Sequence, residues 1–230
     1  MLLTCGRRLI GSPRNPGNDP LAAGEPDSSR VLTRFFRVSC FRPSVRVVSV
    51  NSGPARSVPW KGMAVRTGIY KIPVADRVRV CRDGFDGDEQ ADPSAHGGAD
   101  KAVYAYPSEH YGFWSRELAR QDLTWGAFGE NLTTEGLLES SVRVGDRFRV
   151  GTSILEVTKP RFPCYKLGIK FGREDIIPRF LHSGRSGFYL AVVAEGDVGP
   201  GDTIAFIPRA PSGRSIEEVV RERAEADEGE

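Results

Sequence analysis

Cysteine occurs only four times in 230 residues, at Cys5, Cys40, Cys81 and Cys164, and never as a C-x-x-C pair. That scatter supplies neither a disulfide framework nor a zinc or iron–sulfur ligand set, so reduced thiols in a cytoplasmic protein are expected. Charge of one sign is missing too: 32 Lys and Arg stand against 30 Asp and Glu, for a formal charge of +2. Such a balance argues for neither a nucleic-acid surface nor a polybasic membrane patch. No apolar run approaches the length of a bilayer span. The Met1-Leu-Leu-Thr start, interrupted by Arg7-Arg8, falls short of the apolar stretch of a secretory signal. A G-x-S-x-G elbow for a Ser-His-Asp hydrolase, a Walker A loop and a dinucleotide fingerprint are all absent. Asp83-Gly-Phe-Asp-Gly-Asp88 is a tight acidic loop, but it lacks the full spacing and closing Glu of a calcium loop.

What is present suits one globular domain with tails. Apolar residues make up 39% and charged residues 27%, ordinary values for a chain that buries a proper core. Residues 1–42, rich in Arg, Pro, Gly and Ser, read as a disordered tail. A transit peptide would also be arginine-rich and acid-poor, although this density of Pro and Gly opposes an amphipathic helix. An over-extended reading frame would look the same. Residues 43–210 form the expected domain. Residues 211–230 read as a charged tail with a short helix from Ser215, and nothing apolar follows to dock it.

Within the domain, strands dominate. Val45 to Val50 is β-branched, Trp60 to Tyr70 reads as extended, and Arg77 to Cys81 alternates polar with apolar. Val144 to Val150 and Ser153 to Val157, joined through Gly151-Thr152, carry a hairpin signal. Phe188 to Val193 and Thr203 to Ile207 complete the set. Gly145-Asp146 and Gly201-Asp202 each stand just ahead of a strand, which suggests a repeated turn. The clearest helix spans 107–120, with Pro107 at its start and His110, Trp114 and Leu118 along one face. Residues 123–135 read as a Gly-rich loop, and 166–182 as short helical pieces broken before Pro178. The expected architecture is mainly β, a small closed β-barrel with peripheral, inserted helices.

The most pointed stretch is Glu156-Val-Thr-Lys-Pro-Arg-Phe-Pro-Cys164-Tyr-Lys-Leu-Gly168. Pro160 and Pro163 stiffen a corner that delivers Cys164 to a helix start beside Arg161. Negative charge is stabilised there, and a thiolate attacks electrophiles and binds soft metals; equally, free cysteines are most often small buried hydrophobes. His96-Gly97-Gly98 is either a turn containing a histidine or an anion-binding nest. Glu130-Asn131 could bond a polar ligand or cap its own loop. Lys71, Lys101 and Arg161 each adjoin a turn, where they could meet phosphate or merely solvent. His110 and His182 carry no functional signal.

In combination the pieces are more specific. Thr67-Gly-Ile-Tyr-Lys71-Ile-Pro-Val, His96-Gly-Gly-Ala-Asp-Lys101-Ala-Val, Phe128-Gly-Glu-Asn131-Leu-Thr-Thr-Glu-Gly, Val144-Gly-Asp-Arg-Phe and Pro160-Arg-Phe-Pro-Cys164 occur in this order. The set resembles the MOSC family, named for the C-terminal domain of molybdenum cofactor sulfurases, and looks closest to its YiiM-like branch. The resemblance spans about Val45 to Ile207. It implies a MOSC-like β-barrel whose mouth binds a molybdopterin-type molybdenum cofactor, with Cys164 as the sulfur ligand to the metal. Lys71, Lys101, Arg161, Gly97, Gly98, Glu130 and Asn131 are then the expected cofactor-binding residues, and His96 the expected proton donor. It further implies an oxidoreductase acting on small N-hydroxylated substrates such as N-hydroxylated purines, with a detoxifying role. At family level only, it carries an association with pyridoxal phosphate. The alternative is a carrier of the cofactor or of cysteine-bound persulfide sulfur. With no iron–sulfur ligands or flavin fingerprint, electrons are expected from a separate reductase. YiiM-like relatives usually carry a helical C-terminal extension, which this sequence does not match.

Overall fold

The computed structural model describes residues 45–91, 97–210 and 213–228. The tail expected at 1–42 and His96 lie outside these residues. The strands are β1 (Arg46–Ser52), β2 (Arg56–Trp60), β3 (Met63–Thr67), β4 (Ile72–Val74), β5 (Val78–Cys81), β6 (Gly84–Phe85) and β7 (Val103–Pro107). They continue with β8 (Leu132–Glu135), β9 (Arg147–Val150), β10 (Ser153–Pro160), β11 (Phe188–Ala194), β12 (Gly196–Val198) and β13 (Ile204–Ile207). The helices are α1 (Glu109–Glu117), α2 (Tyr165–Phe171), α3 (Ile176–His182) and α4 (Ile216–Glu228), with a 3-10 turn at Ala99–Lys101.

Eight strands form one sheet in the order β13-β9-β10-β11-β7-β8-β1-β4, while β12-β5-β6 and β2-β3 form two small ones. The fold is mainly β with a few helices. Its ladder runs from β13 to β4, so the pairing does not give the closed barrel that the sequence suggested. What joins residues 45–47 to 201–204 is a short set of backbone bonds. Val47 N–H donates to Asp202 O at 2.9 Å, Gly201 N–H to Val47 O at 2.8 Å and Ile204 N–H to Val45 O at 2.8 Å. Gly201, at φ 87°, bends the chain there.

The repeated Gly-Asp turn is real. Gly145 and Gly201 sit at φ 90° and 87°, where only glycine is comfortable. In each case the aspartate after it accepts the N–H three residues back: Arg143 to Asp146 at 2.8 Å, Gly199 to Asp202 at 2.9 Å.

Several local expectations change. Pro107 ends β7 instead of starting α1. Residues 132–135, read as loop, are β8, paired parallel to β7; a four-residue strand is fixed by its neighbours more than by its own pattern. The extended stretch near Trp60 is a hairpin, β2 paired with β3, turning through Lys61 and Gly62 at φ 48° and 79°. The break between α2 and α3 falls at Gly172, which caps α2 at φ 67°. Pro178 lies inside the first turn of α3, where its missing N–H costs nothing. The terminal helix does dock: Ile216 and Val220 are buried in the core. Its start is a reciprocal cap, with Glu218 N–H on Ser215 Oγ at 3.1 Å and Ser215 N–H on the Glu218 carboxylate at 2.7 Å.

Inward residues of the sheet, among them Val47, Val50, Phe148, Leu155, Val157 and Leu190, make one core. A second, aromatic core packs Tyr104, Tyr106, Trp114, Phe128 and Phe180 beneath the helices. Trp114 and Phe180 stack at 5.6 Å, and such pairs add about 0.5–1.5 kcal/mol beyond burial. This aromatic layer supports the ends of β7 and β11 and the corner that follows β10.

Candidate functional site

At that corner lies a cleft with about 720 Å³ of empty space, its open mouth included. Its walls come from the end of β3 and residues 68–71, from 88–91, from 128–131, and from the corner between β10 and α2. Tyr104 of β7 and Tyr189 of β11 close it from the sheet side.

Of the residues singled out in the sequence, Lys71, Lys101, Asn131, Arg161 and Cys164 line this cleft together. Cys164 is a free, half-buried thiol at the N-cap of α2, held extended at φ −128° and ψ 170°. Its carbonyl accepts the Leu167 N–H at 2.9 Å, which anchors the corner to the helix. Arg161 is 5% exposed. Its guanidinium lies 5.4 Å from the Tyr104 ring and 5.1 Å from that of Phe180. Burial alone would lower its proton affinity, but the phenols of Tyr104 and Tyr189 and the Cys164 thiol leave it above the ordinary arginine value. Its buried Nη1 has no hydrogen-bond partner. Buried donors are nearly always paired, so an orphan in a cleft wall asks for an acceptor.

Lys71 is already engaged. Its ammonium bonds the Asp88 carboxylate, which also takes the Gly53 N–H at 3.1 Å and Asn131 Nδ2 at 2.9 Å. Burial pushes the Lys71 amine below the ordinary lysine value, with Asp88 opposing that fall. Asn131 is fixed at both ends, since its Oδ1 accepts the Tyr104 N–H at 3.0 Å. Its amide therefore shapes the wall and holds Asp88 in place.

Glu130 does not reach the cleft. It is fully buried and gathers its own loop. It accepts the Tyr111 hydroxyl, the Gly126 N–H at 2.9 Å, the Phe128 N–H at 3.1 Å and Thr133 Oγ1 at 2.9 Å. Gly97 and Gly98 are not among the lining residues. The Gly98 N–H is spent on the Gln90 side chain at 3.0 Å, which leaves that donor unavailable to an anion nest.

Two residues went unnoticed in the sequence. Asp88 looked like part of an acidic turn, yet it organises Lys71 and Asn131. Lys166 stands two positions past the cysteine, at the start of the stretch read as short helical pieces. It is 8% exposed and lines the cleft, and no bond or ion pair holds its ammonium among the described residues. His110 and His182 stay outside the site: His110 Nε2 bonds the buried Glu139 carboxylate at 2.8 Å, and His182 is 3.8 Å from Asp227.

The arrangement is thus a soft nucleophile or ligand beside several cations, in a cleft bounded by aromatic rings. No helix among the described residues is long and apolar enough to cross a membrane.

A family model of the MOSC domain matches residues 92–205. The chain is 43% identical over 171 residues to the uncharacterized protein YflK of Bacillus subtilis, covering 74% of this chain and 77% of that one. Protein YiiM of Escherichia coli is 41% identical over 145 residues, covering 62% and 65%. A protein named reductase from Gibberella moniliformis is 34% identical over 168 residues, which are 70% of this chain but only 30% of that one. The chain therefore spans just under two thirds of the E. coli protein and under a third of the fungal one. The crystal structure of YiiM from Geobacillus stearothermophilus matches with a TM-score of 0.65 at 35% identity, covering 79% of this chain and 85% of that chain.

Proposed function

We infer, on the premise that this chain belongs to the MOSC-domain family and is YiiM-like, that its cleft holds a molybdopterin-type molybdenum cofactor and that the protein reduces N-hydroxylated compounds. The observation that carries this reading is the meeting of Cys164 and Arg161 in one cleft, a free thiol beside a buried guanidinium with an unpartnered nitrogen. A thiolate suits a soft metal, and a guanidinium without its own carboxylate suits a phosphate. Among the described residues no three His, Cys, Asp or Glu side chains gather to hold a bare metal ion. A metal at Cys164 would need further ligands from the cofactor itself.

In this reading Cys164 would hold the molybdenum, and Arg161, Lys101 and Lys166 would hold the phosphate. Lys71 contributes only by sharing itself with Asp88. Bound, the cofactor supplies the two-electron chemistry that takes oxygen from nitrogen. The chain's own work is to orient the reacting groups and to move protons. Asn131 and the loop that Glu130 gathers hold one wall, and the aromatic rings limit water. His96, next to Gly97 in the sequence, is assigned proton delivery, since imidazole titrates near neutrality. A small N-hydroxylated molecule, such as an N-hydroxylated purine, is the substrate class, and a separate reductase is the electron source. Free Cys81 and Cys164 suit the reducing cytoplasm. The relative named a reductase supports an enzyme over a carrier.

The test is metal analysis of wild type and Cys164→Ser from a host that makes the cofactor, with oxidised-pterin fluorescence alongside. Near-stoichiometric molybdenum in the wild type, lost in the variant, is expected, followed by reduction of a hydroxylaminopurine. An empty wild type from a competent host would sink the reading, and persulfide on Cys164 without pterin would replace it with a sulfur carrier.

A further inference from the structure

Lys170 is a half-buried cation beside the cleft that the mechanism above leaves unused. It sits in the last turn of α2, the helix that begins at Cys164. Its Nζ donates to two carbonyl oxygens, Ile69 at 2.8 Å and Gly126 at 2.5 Å. These belong to different cleft loops, one carrying Lys71, the other Phe128, Gly129 and Asn131. The two loops touch backbone to backbone. A Cβ on Gly126 would lie 2.9 Å from the Lys71 carbonyl oxygen, and one on Gly129 would lie 2.7 Å from Cγ1 of Ile69. Three parts of the site therefore meet at one ammonium.

Neither carbonyl depends on that ammonium for satisfaction. Ile69 O also accepts the Lys71 N–H at 3.2 Å, and Gly126 O accepts the Gly129 N–H at 3.0 Å. Burial lowers the Lys170 amine from 10.5 to about 8; Glu130 opposes the fall, while Lys71, Arg161 and Arg56 add to it. Arg120 and Asp122, which share the neighbouring cavity, pair with each other at 2.7 Å. The ammonium also lies 5.7 Å from the Tyr70 ring, yet a cation kept where charge is disfavoured, on acceptors that have other donors, adds little net stability.

We propose that Lys170 is a positioning residue that clamps the Cys164 helix to both adjoining loops, so that the thiol, Lys71 and Asn131 keep one mutual spacing. The inference does not rest on the cofactor reading, and its test uses the cofactor-free full chain. Amide hydrogen exchange and urea unfolding are compared in wild type, Lys170→Met and Lys170→Arg. The probes are the bonded amides of Lys71, Ala127, Gly129 and Asn131. In Lys170→Met their exchange should quicken at least about tenfold while the unfolding midpoint holds or rises, because local opening and global unfolding are separate events. Lys170→Arg keeps the charge and donors in a different shape; it should lose less protection than Lys170→Met.

A second arm needs no substitution. Opening the clamp returns the amine to water, where it binds a proton more tightly, so opening becomes rarer as pH rises. Protection of these amides, corrected for base-catalysed chemistry, should climb above pH 8 by up to about tenfold per pH unit. That climb should shrink in Lys170→Met. Unchanged protection in Lys170→Met, or a flat wild-type profile, would overturn the clamp. A uniform loss of protection with a lowered midpoint would overturn it as well, making Lys170 an ordinary stabilising residue.

Discussion

Lys71 and Asp88 form an ion pair inside the cleft, with only 8% and 6% of their side chains exposed. Removing one member of such a pair strands the other charge, at a cost of about 3–5 kcal/mol. Asp88→Ala should therefore lower the unfolding free energy by about that amount. Adding Lys71→Met should recover much of the loss, since the double variant leaves no lone charge. Urea unfolding of the single and double variants measures the difference. A single-variant cost below about 1 kcal/mol would mean that the pair is solvated like a surface bridge.

Arg161 should behave in the opposite way. Its cation–π contacts contribute about 0.5–2 kcal/mol, while its buried, unpartnered Nη1 costs about 1–3 kcal/mol. In the cofactor-free protein Arg161→Met is expected to change stability by no more than about 1 kcal/mol, because these effects offset. The same variant should lose the stabilisation that wild type gains from added inorganic phosphate or a pterin phosphate. Thermal shifts with and without ligand separate the two effects, and a drop of several kcal/mol without ligand would make Arg161 a structural strut.

Global stability should rise with pH between about 8 and 9.5, the window in which the Lys170 amine has lost a proton that the unfolded chain still holds. Lys170, lowered to about 8, and Lys71, lowered by burial, both act in this direction. For Lys170 the fall from 10.5 to about 8 corresponds to about 3 kcal/mol once both folded and unfolded forms have released the proton. The trend should turn over near pH 10. There the unfolded chain loses phenolic protons that buried Tyr104, Tyr106, Tyr111 and Tyr189, all raised by burial, retain. Urea midpoints from pH 7 to 11 test this, and a curve flat from 8 to 9.5 would show that the Lys170 amine is hydrated.

The parts of the site legible in the sequence were those that constrain the backbone. Pro160 and Pro163 announced the corner at Cys164, and Gly145-Asp146 and Gly201-Asp202 announced paired turns with the same internal bond. What stayed hidden depends on distant partners. Leu132 to Glu135 becomes a strand because β7 and β1 flank it, which its own Leu-Thr-Thr-Glu cannot signal. Asp88, Lys166 and Lys170 drew no functional reading, because burial of a charged side chain is decided by what packs over it. The terminal helix was expected to have nothing apolar to dock it, yet Ile216 and Val220, one turn apart, seat α4 against the core.

The cleft places Lys71, Lys101, Arg161 and Lys166 against Asp88 and Glu89, on a chain whose formal charge is only +2. On the proposed reading, the attraction for a phosphate is a local field at one mouth and not a property of the surface at large. Such a field speeds the arrival of small multivalent anions and reaches only about 8 Å at physiological ionic strength. Loading of a phosphate-bearing ligand should then be a salt-sensitive association step, whereas its release, governed by contacts already made inside the walls, should respond to salt far less.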